Sequence, residues 1–492
     1  MARDREFILS RNLEIELKLD VEPSARDRLQ SSALLSGASS EHDHLKASYF
    51  DTPDLAVHRA GFSLRIRKEG RRRVQTVKSE TGVHAGLFTR SEWEKAVKRK
   101  RLRADEIDGP LAKVLDETAL NGLRKMFVTD IGRTRRLIHH GDMSAELVVD
   151  EGDVRTDAAR TSLMEVELEL IEGPPQSLFE FARRLDEDVP VRVGVLSKAE
   201  RGYRLIEGSA DGSLKAEPIL LDPAGEVGEA FVMIAQSCIR QFRRNEDLLR
   251  EHDGADALHQ ARVGIRRLRS AFSLFKPLIG RDERAELLKL ELRELGAVLG
   301  VVRNLDVLIP RLKDGHVAQL SEERHKAMAH LRARLSSSRT RLLMLDLIEW
   351  LTVGQWQADP ANAKLRRAPV LDFANDLLEA RRRRLKRRGK GLASLDDDDR
   401  HQVRIEAKKL RYATEFFASL YPTKRRKTFL TALEDMQDCL GELNDLATAP
   451  QVLESLGLAG ALPATGQHER ARLLDRSQDA FDALIATKRF WR

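Results

Sequence analysis

The chain has 492 residues, 33% of them charged and 41% apolar, with a formal charge of +7; that is long enough for two domains with full cores and describes heavily charged surfaces. It contains no run of about 18 apolar residues, and its start, MARDREFILSRN, lacks the apolar core of a signal peptide, so a cytoplasmic location is expected. Cys238 and Cys439 are the only cysteines, which leaves no disulfide framework and no zinc site with histidine partners at suitable spacing.

After a polar lead-in over residues 1–12, LEIELKLD alternates Glu14, Glu16 and Lys18 with Leu13, Ile15, Leu17 and Leu19. A strand with this dyad is ionic on one face and apolar on the other. A helical pattern from Pro23 to Leu35 could cover the apolar face. HLKASYFDTPDLAVHRAGFSLRIRKE then reads as strand, turn at Thr52 and Pro53, short helix and strand, with Arg65 and Arg67 alternating with Leu64 and Ile66. GRRRVQTVKSE, with Lys78, is its hairpin partner, and GLFTRSEWEKAV is one further strand with Arg90, Glu92 and Glu94 flanking Trp93. A helical region near 105–120 precedes two strands joined at Gly141 and Asp142, the first carrying Arg133 and Arg135, the second Glu146 and Asp150. In TSLMEVELELIEG, Glu165, Glu167 and Glu169 interleave with Met164, Val166, Leu168 and Leu170; a helix from Pro175 to Asp186 and a segment at Lys198 follow.

Recurrence of the dyad suggests about eight antiparallel strands closed into a barrel, with charged faces converging on one lumen and helices outside. Ionised groups taken out of bulk water need partners, counter-ions or metals. The cations Lys18, Arg65, Arg67, Lys78, Arg90, Arg133 and Lys198 suit a polyanion, and the carboxylates Glu14, Glu16, Glu165 and Glu167 suit a hard divalent cation. Together they point to metal-bound phosphate chains. Glu169, Glu92, Glu94, Glu146 and Asp150 share the side and either join this set or orient its arginines. Glycine-rich phosphate loops are absent, so the phosphate binder must be built from side chains.

The E-x-E-x-K at Glu14 to Lys18, LRIR at 64–67, QTVK at 75–78, EVELEL at 165–170 and SKAERGYRL at 197–205 resemble, in order, a CYTH domain of the triphosphate tunnel metalloenzymes, over about the first 207 residues. The resemblance implies a metal-dependent enzyme of the group that includes adenylate cyclases, thiamine triphosphatases and inorganic triphosphatases.

Residues 208–222 contain Gly, Ser and Pro without a period and read as a linker. Beyond them strand signals vanish and amphipathic helical patterns dominate. HQARVGIRRLRSAFSLF from His259 recurs as HQVRIEAKKLRYATEFF from His401, an offset of 142, and each copy is followed by a second related pair, LGVVRNLD from Leu299 and LGELNDL from Leu440. His259, Arg262, Arg266 and Arg269, and again His401, Arg404, Lys408 and Arg411, occupy about 80° of helix circumference, one basic stripe per copy. Two facing stripes would make a cationic groove for phosphate chains. This half resembles a CHAD domain, which implies binding of inorganic polyphosphate, with Asn304, Asp306, Asn444 and Asp445 packing the helices or orienting the stripes. RRRRLKRRGK from Arg381 reads as a solvated helix end neutralised by the acidic run 396–399, and few aromatics interleave with basic positions, which disfavours nucleic acid. The pairs His42/His44 and His139/His140 read as surface or turn residues.

The expectation is therefore an α+β two-domain protein: a closed eight-stranded antiparallel β-barrel with flanking helices over 1–207, a linker, and an internally duplicated all-α bundle over 223–492. The first domain is expected to hydrolyse inorganic tripolyphosphate with Mg²⁺ or Mn²⁺. Adenylate cyclase, thiamine triphosphatase and a non-catalytic polyphosphate scaffold are the alternatives.

Overall fold

The computed structural model describes residues 15–36, 39–69, 72–80, 85–88, 92–97, 107, 110–208, 212–312, 316–458 and 467–492. The chain forms two compact units, Met1–Ser213 with Ser336–Val353, and Leu214–Leu335 with Gly354–Arg492. None of the described helices is long and apolar enough to cross a membrane.

Among the described residues, the first unit is built on ten antiparallel strands: β1 (Glu16–Val21), β2 (Ser40–Asp51), β3 (Phe62–Glu69), β4 (Arg72–Ser79), β5 (Leu87–Phe88), β6 (Glu92–Ala96), β7 (Arg124–His140), β8 (Met143–Arg155), β9 (Arg160–Glu172) and β10 (Val191–Val193). Nine follow one path, β10-β1-β9-β8-β7-β2-β3-β4-β6, and β5 pairs β1 beside it. Among the described residues the ladder is open, so the expected closed eight-stranded barrel is corrected. The segment GLFTRSEWEKAV, read as one strand, is two: Leu87 and Phe88 pair β1, whereas Glu92–Ala96 pairs β4. Beyond β5, β1 takes the three-residue β10, from Leu19 opposite Val193 to Val21 opposite Val191. Two short partners share that edge of β1, and neither carries the ladder on to β6.

The dyad has the expected consequence on the outer face. Leu17, Leu19, Val166, Leu168 and Leu147 are fully buried, as are Leu178, Phe179 and Leu185 of the helix Gln176–Asp188, which packs against β8 and β10. Lys198 begins a helix, Lys198–Ile206, capped by Ser197, whose side chain accepts from the Glu200 N–H while Glu200 returns the bond.

Among the described residues, the regular secondary structure of the second unit is all helical apart from an isolated bridge between Glu226 and Pro369. The repeat appears as two helices in the same phase, Ala255–Leu274 and Asp397–Phe416, whose limits differ by the sequence offset at both ends. They meet through equivalent phenylalanines just past their ends, Phe275 and Phe417, with ring centroids 6.1 Å apart. Cys238 and Cys439 are buried thiols. In the basic helix Val370–Arg388, Arg381 and Arg384 pair with Glu406 at 3.6 and 3.1 Å and Arg383 with Glu379 at 3.0 Å. Glu379 and Glu406, rather than the acidic run, neutralise it; Asp396 caps the next helix by accepting from the Asp399 N–H at 2.7 Å.

Candidate functional site

Register fixes the lumen. Lys18 lies opposite Glu167 and Asp20 opposite Glu165 on β9; Glu165 lies opposite Asp150 on β8, and Asp150 opposite Arg133 on β7. Across the other wall Arg65 pairs with Tyr49 and Thr76, and Lys78 with Glu92. Because side chains alternate, this register places one set of ionic groups on one side, around a cavity of about 920 Å³.

At its deepest wall three cations meet three carboxylates. Lys18 Nζ lies 2.7 Å from Glu165 and 3.5 Å from Glu167. Lys198 Nζ lies 2.7 Å from Asp150 and 3.1 Å from Glu167, and also pairs with Glu165. Arg133 donates to both oxygens of Asp150, at 2.7 and 2.5 Å, and to Glu167 at 3.1 Å. One oxygen from each of Asp150, Glu165 and Glu167 lies within 4.8 Å of the others. Burial would raise the Glu167 carboxyl, yet Lys198, Lys18 and Arg133 outweigh it and hold it well below the usual range. Burial likewise opposes the charge on Lys198, but Asp150, Glu165 and Glu167 raise it above the ordinary lysine value. Glu16 behaves differently: burial, reinforced by Glu167, pushes it up to about 7 against Lys18, Lys198 and Lys78.

The opposite wall carries Arg65, Arg67 and Lys78. Lys78 pairs with Glu92, and Arg67 lies 4.0 Å from Glu94. Burial and the neighbouring Arg65 lower Lys78 despite that carboxylate. Toward one end the lumen turns apolar, where Leu45, Ala47, Tyr49 and Ile131 pack with Phe127, Ala199 and Tyr203. The helix Lys198–Ile206 thus fills that end and delivers Lys198 from its first turn. Gly202 makes this possible, since a Cβ there would stand 2.2 Å from the Phe127 ring.

The second unit holds a separate cationic cavity of about 630 Å³. Arg266 and Arg269 enter from the first repeat helix, and His401, Arg404 and Lys408 from the second. Arg293 and Lys289 join from the helix Glu283–Leu308. Burial together with Arg266, Arg404 and Arg262 pushes Lys408 down to about 6. His401 Nδ1 lies 2.8 Å from Asn444 Oδ1, and Arg262 lies 3.4 Å from Asn304 Oδ1. Asp306 and Asp445 pair with Arg324 and Arg311, at 2.5 and 3.4 Å, and the charge of Asp445 also acts on Arg404 and Lys408.

A CYTH domain profile matches residues 12–203 and a CHAD domain profile residues 233–454. The chain joins a CYTH domain to a CHAD domain. An inorganic triphosphatase of Haemophilus influenzae is 30% identical over 196 residues, which are 39% of this chain and 54% of that protein, so the chain spans about half of that relative's length. Two uncharacterised Mycobacterium tuberculosis proteins are 27% identical over 478 residues, 87% of this chain and 87% of each of them. The solved CHAD domain of the plant Ricinus communis is 29% identical with a TM-score of 0.46, covering 57% of this chain and 98% of that one.

Within the CYTH domain the structure gathers Glu16, Lys18, Arg65, Arg67 and Lys78 with Arg133, Glu167 and Lys198 about one cavity, and Glu165 is buried behind Lys18 and Lys198. Glu14 and Arg90 lie outside the described residues. Asp150 stands within the tight carboxylate group, beside two of the four expected metal ligands. Sequence reasoning passed over Glu80, which accepts from Ser63 at 2.8 Å and from Ser197 at 3.4 Å across the lumen. Its parity with Lys78 was the available signal. In the CHAD domain, Arg411 turns to Glu415 and Glu434, at 2.7 and 3.2 Å, while Tyr412, which accepts from Arg266, enters the cavity. His259 and Arg262 are not among the cavity's lining residues. His42 and His44 are exposed on β2, bonded to Thr134 and Asp130 at 3.0 and 2.6 Å.

Proposed function

We propose that the CYTH domain hydrolyses a short triphosphate, inorganic tripolyphosphate, to pyrophosphate and phosphate with Mg²⁺ or Mn²⁺, and that the CHAD domain binds inorganic polyphosphate. The observation that carries the reading is the lumen that sets Asp150, Glu165 and Glu167 within reach of Lys18, Arg133 and Lys198, with Arg65, Arg67 and Lys78 lining the same cavity. The donor set fits a hard divalent ion, being all carboxylate oxygen: Asp150, Glu165 and Glu167 would hold it, with Glu16 lining the same cavity near Glu167. The chemistry it supplies when bound is polarisation of a phosphoryl oxygen and a more acidic water.

The chain's own groups bind and orient. Lys198 and Arg133 are held charged by their carboxylates, so they meet the substrate as full cations and offset charge that grows on the equatorial oxygens during transfer. Arg65, Arg67 and Lys78, on β3 and β4, would take the remaining phosphoryl groups and align the chain along the bore. The apolar fill at Tyr49, Phe127 and Tyr203 closes one end to water and limits how much chain can enter. Water adds to a terminal phosphorus, the bond to the bridging oxygen breaks, and one proton is released with the products.

Phosphate and pyrophosphate release should be followed from tripolyphosphate, ATP and thiamine triphosphate, with and without chelator. Fastest turnover of tripolyphosphate, abolished by chelation, is expected; cyclic AMP from ATP, or preference for thiamine triphosphate, would replace this assignment.

A further inference from the structure

The helix Ser338–Val353 belongs to the sequence of the CHAD match yet packs within the first unit. It covers the helix Gln176–Asp188 and β10 with a face that includes Leu345, Ile348 and Leu351, all fully buried. Three ion pairs set its position, one of them between Arg183 and Glu349. Arg341 donates to both oxygens of Asp186 at 2.5 and 3.0 Å, and Arg183 reaches Asp346 at 2.7 Å. Asp186 also accepts from the Val191 N–H at 3.0 Å, the first residue of β10. A buried ion pair contributes little stability over an apolar pair of the same shape, because both charges lose their water; what it supplies is a defined register.

That register leads to the lumen. The N–H and C=O of Lys18 are held by Gly86 O at 2.7 Å and Gly194 N at 2.8 Å, and Gly86 N bonds Gly194 O at 3.0 Å. Gly86 has φ +76°, and a Cβ there would lie 2.7 Å from Val193 and 3.5 Å from Ile348. Ile348 therefore sits directly over the peptide loop that fixes Lys18, whose Nζ lies 2.7 Å from Glu165.

We propose that Ser338–Val353 is a positioning element of the tunnel reaction, with Arg341 and Ile348 setting the placement of Lys18 from outside the sheet. The inference rests on the triphosphatase reading for its kinetic consequence, but its structural part does not. A displacement of about 1 Å at a substrate-holding group can cost on the order of 100-fold in rate.

The test uses the full chain. Arg341→Met should lower kcat for tripolyphosphate about 10-fold or more with KM changed far less, and Arg341→Lys should recover part of it. The double variant Asp186→Leu with Arg341→Met should regain thermal stability without regaining kcat. Recovery of both together, or an unchanged kcat in Arg341→Met, would overturn the proposal. Should Arg341→Met fail to fold, Ile348→Ala provides the same kinetic comparison. Hydrogen exchange separates this inference from the triphosphatase reading: in the Arg341→Met chain the peptide 15–21 should exchange faster while the peptide 163–170 does not. If the wild type turns over no triphosphate, the exchange result stands alone, and equal exchange in the two chains overturns the positioning role.

Discussion

Replacing Lys408 by Met should make the CHAD domain more stable while weakening its hold on polyanions. Burial and the guanidinium groups of Arg266, Arg404 and Arg262 push Lys408 from the ordinary 10.5 down to about 6, with Asp445 opposing them. In the unfolded chain the amine keeps its proton up to its ordinary value. Between about pH 6 and 10.5 the unfolded state therefore binds more protons, and stability at this site falls as pH falls through that window, levelling off below it. At about pH 7.5 the gap to 10.5 sets an upper limit of about 4 kcal/mol. Partial exposure and screening reduce this to roughly 1–2 kcal/mol. Urea denaturation of the full chain, followed by the transition of the helical unit, should show the gain in the Lys408→Met variant at pH 7.5 and little change near pH 10.5. Calorimetry with polyphosphate in two buffers of different ionisation enthalpy should show proton uptake by the wild type at pH 7.5, since an anion restores the ammonium, and less by the variant. Equal stability together with equal proton uptake would refute the reasoning.

Gly202→Ala should destabilise the CYTH domain: the helix gains about 1 kcal/mol in propensity, but the new methyl meets Phe127 at 2.2 Å, and overpacking of about 1–3 kcal/mol wins; thermal unfolding checks this. Arg404→Ala should weaken polyphosphate binding about 10-fold, whereas Arg411→Ala, whose guanidinium is engaged by Glu415 and Glu434, should change it less than about twofold, as read by calorimetry.

Much of the site was legible because a strand's parity is local. Glu16, Lys18, Arg65, Glu167 and Arg133 each announce a face within a few residues, and antiparallel register then gathers the faces without further instruction. The repeat was legible for a similar reason, since one helix period holds Arg404 and Lys408 on one side. What escaped was set by packing over long separations. Nothing local distinguishes Asp150, inside the carboxylate group, from Glu146 two turns of the dyad away. Lys198 follows a strand-like stretch, but Ser197 and Glu200 form a capping box that starts a helix there. The strand β10 is three residues long, too short to show a period, and Arg411 left its stripe because two carboxylates from other positions captured it. That Ser338–Val353 serves the first unit depends on Asp186, more than 150 residues earlier, and no periodicity carries that information.

Turnover of tripolyphosphate against added Mn²⁺, measured in parallel for the full-length wild type and the Glu167→Gln variant, tests the central claim most directly. The account predicts no turnover by the wild type in chelator, saturable activation by the ion, and a loss of about 100-fold or more in the variant with circular dichroism unchanged. Equal activity in the two proteins, or turnover by the wild type that survives chelation, would contradict it.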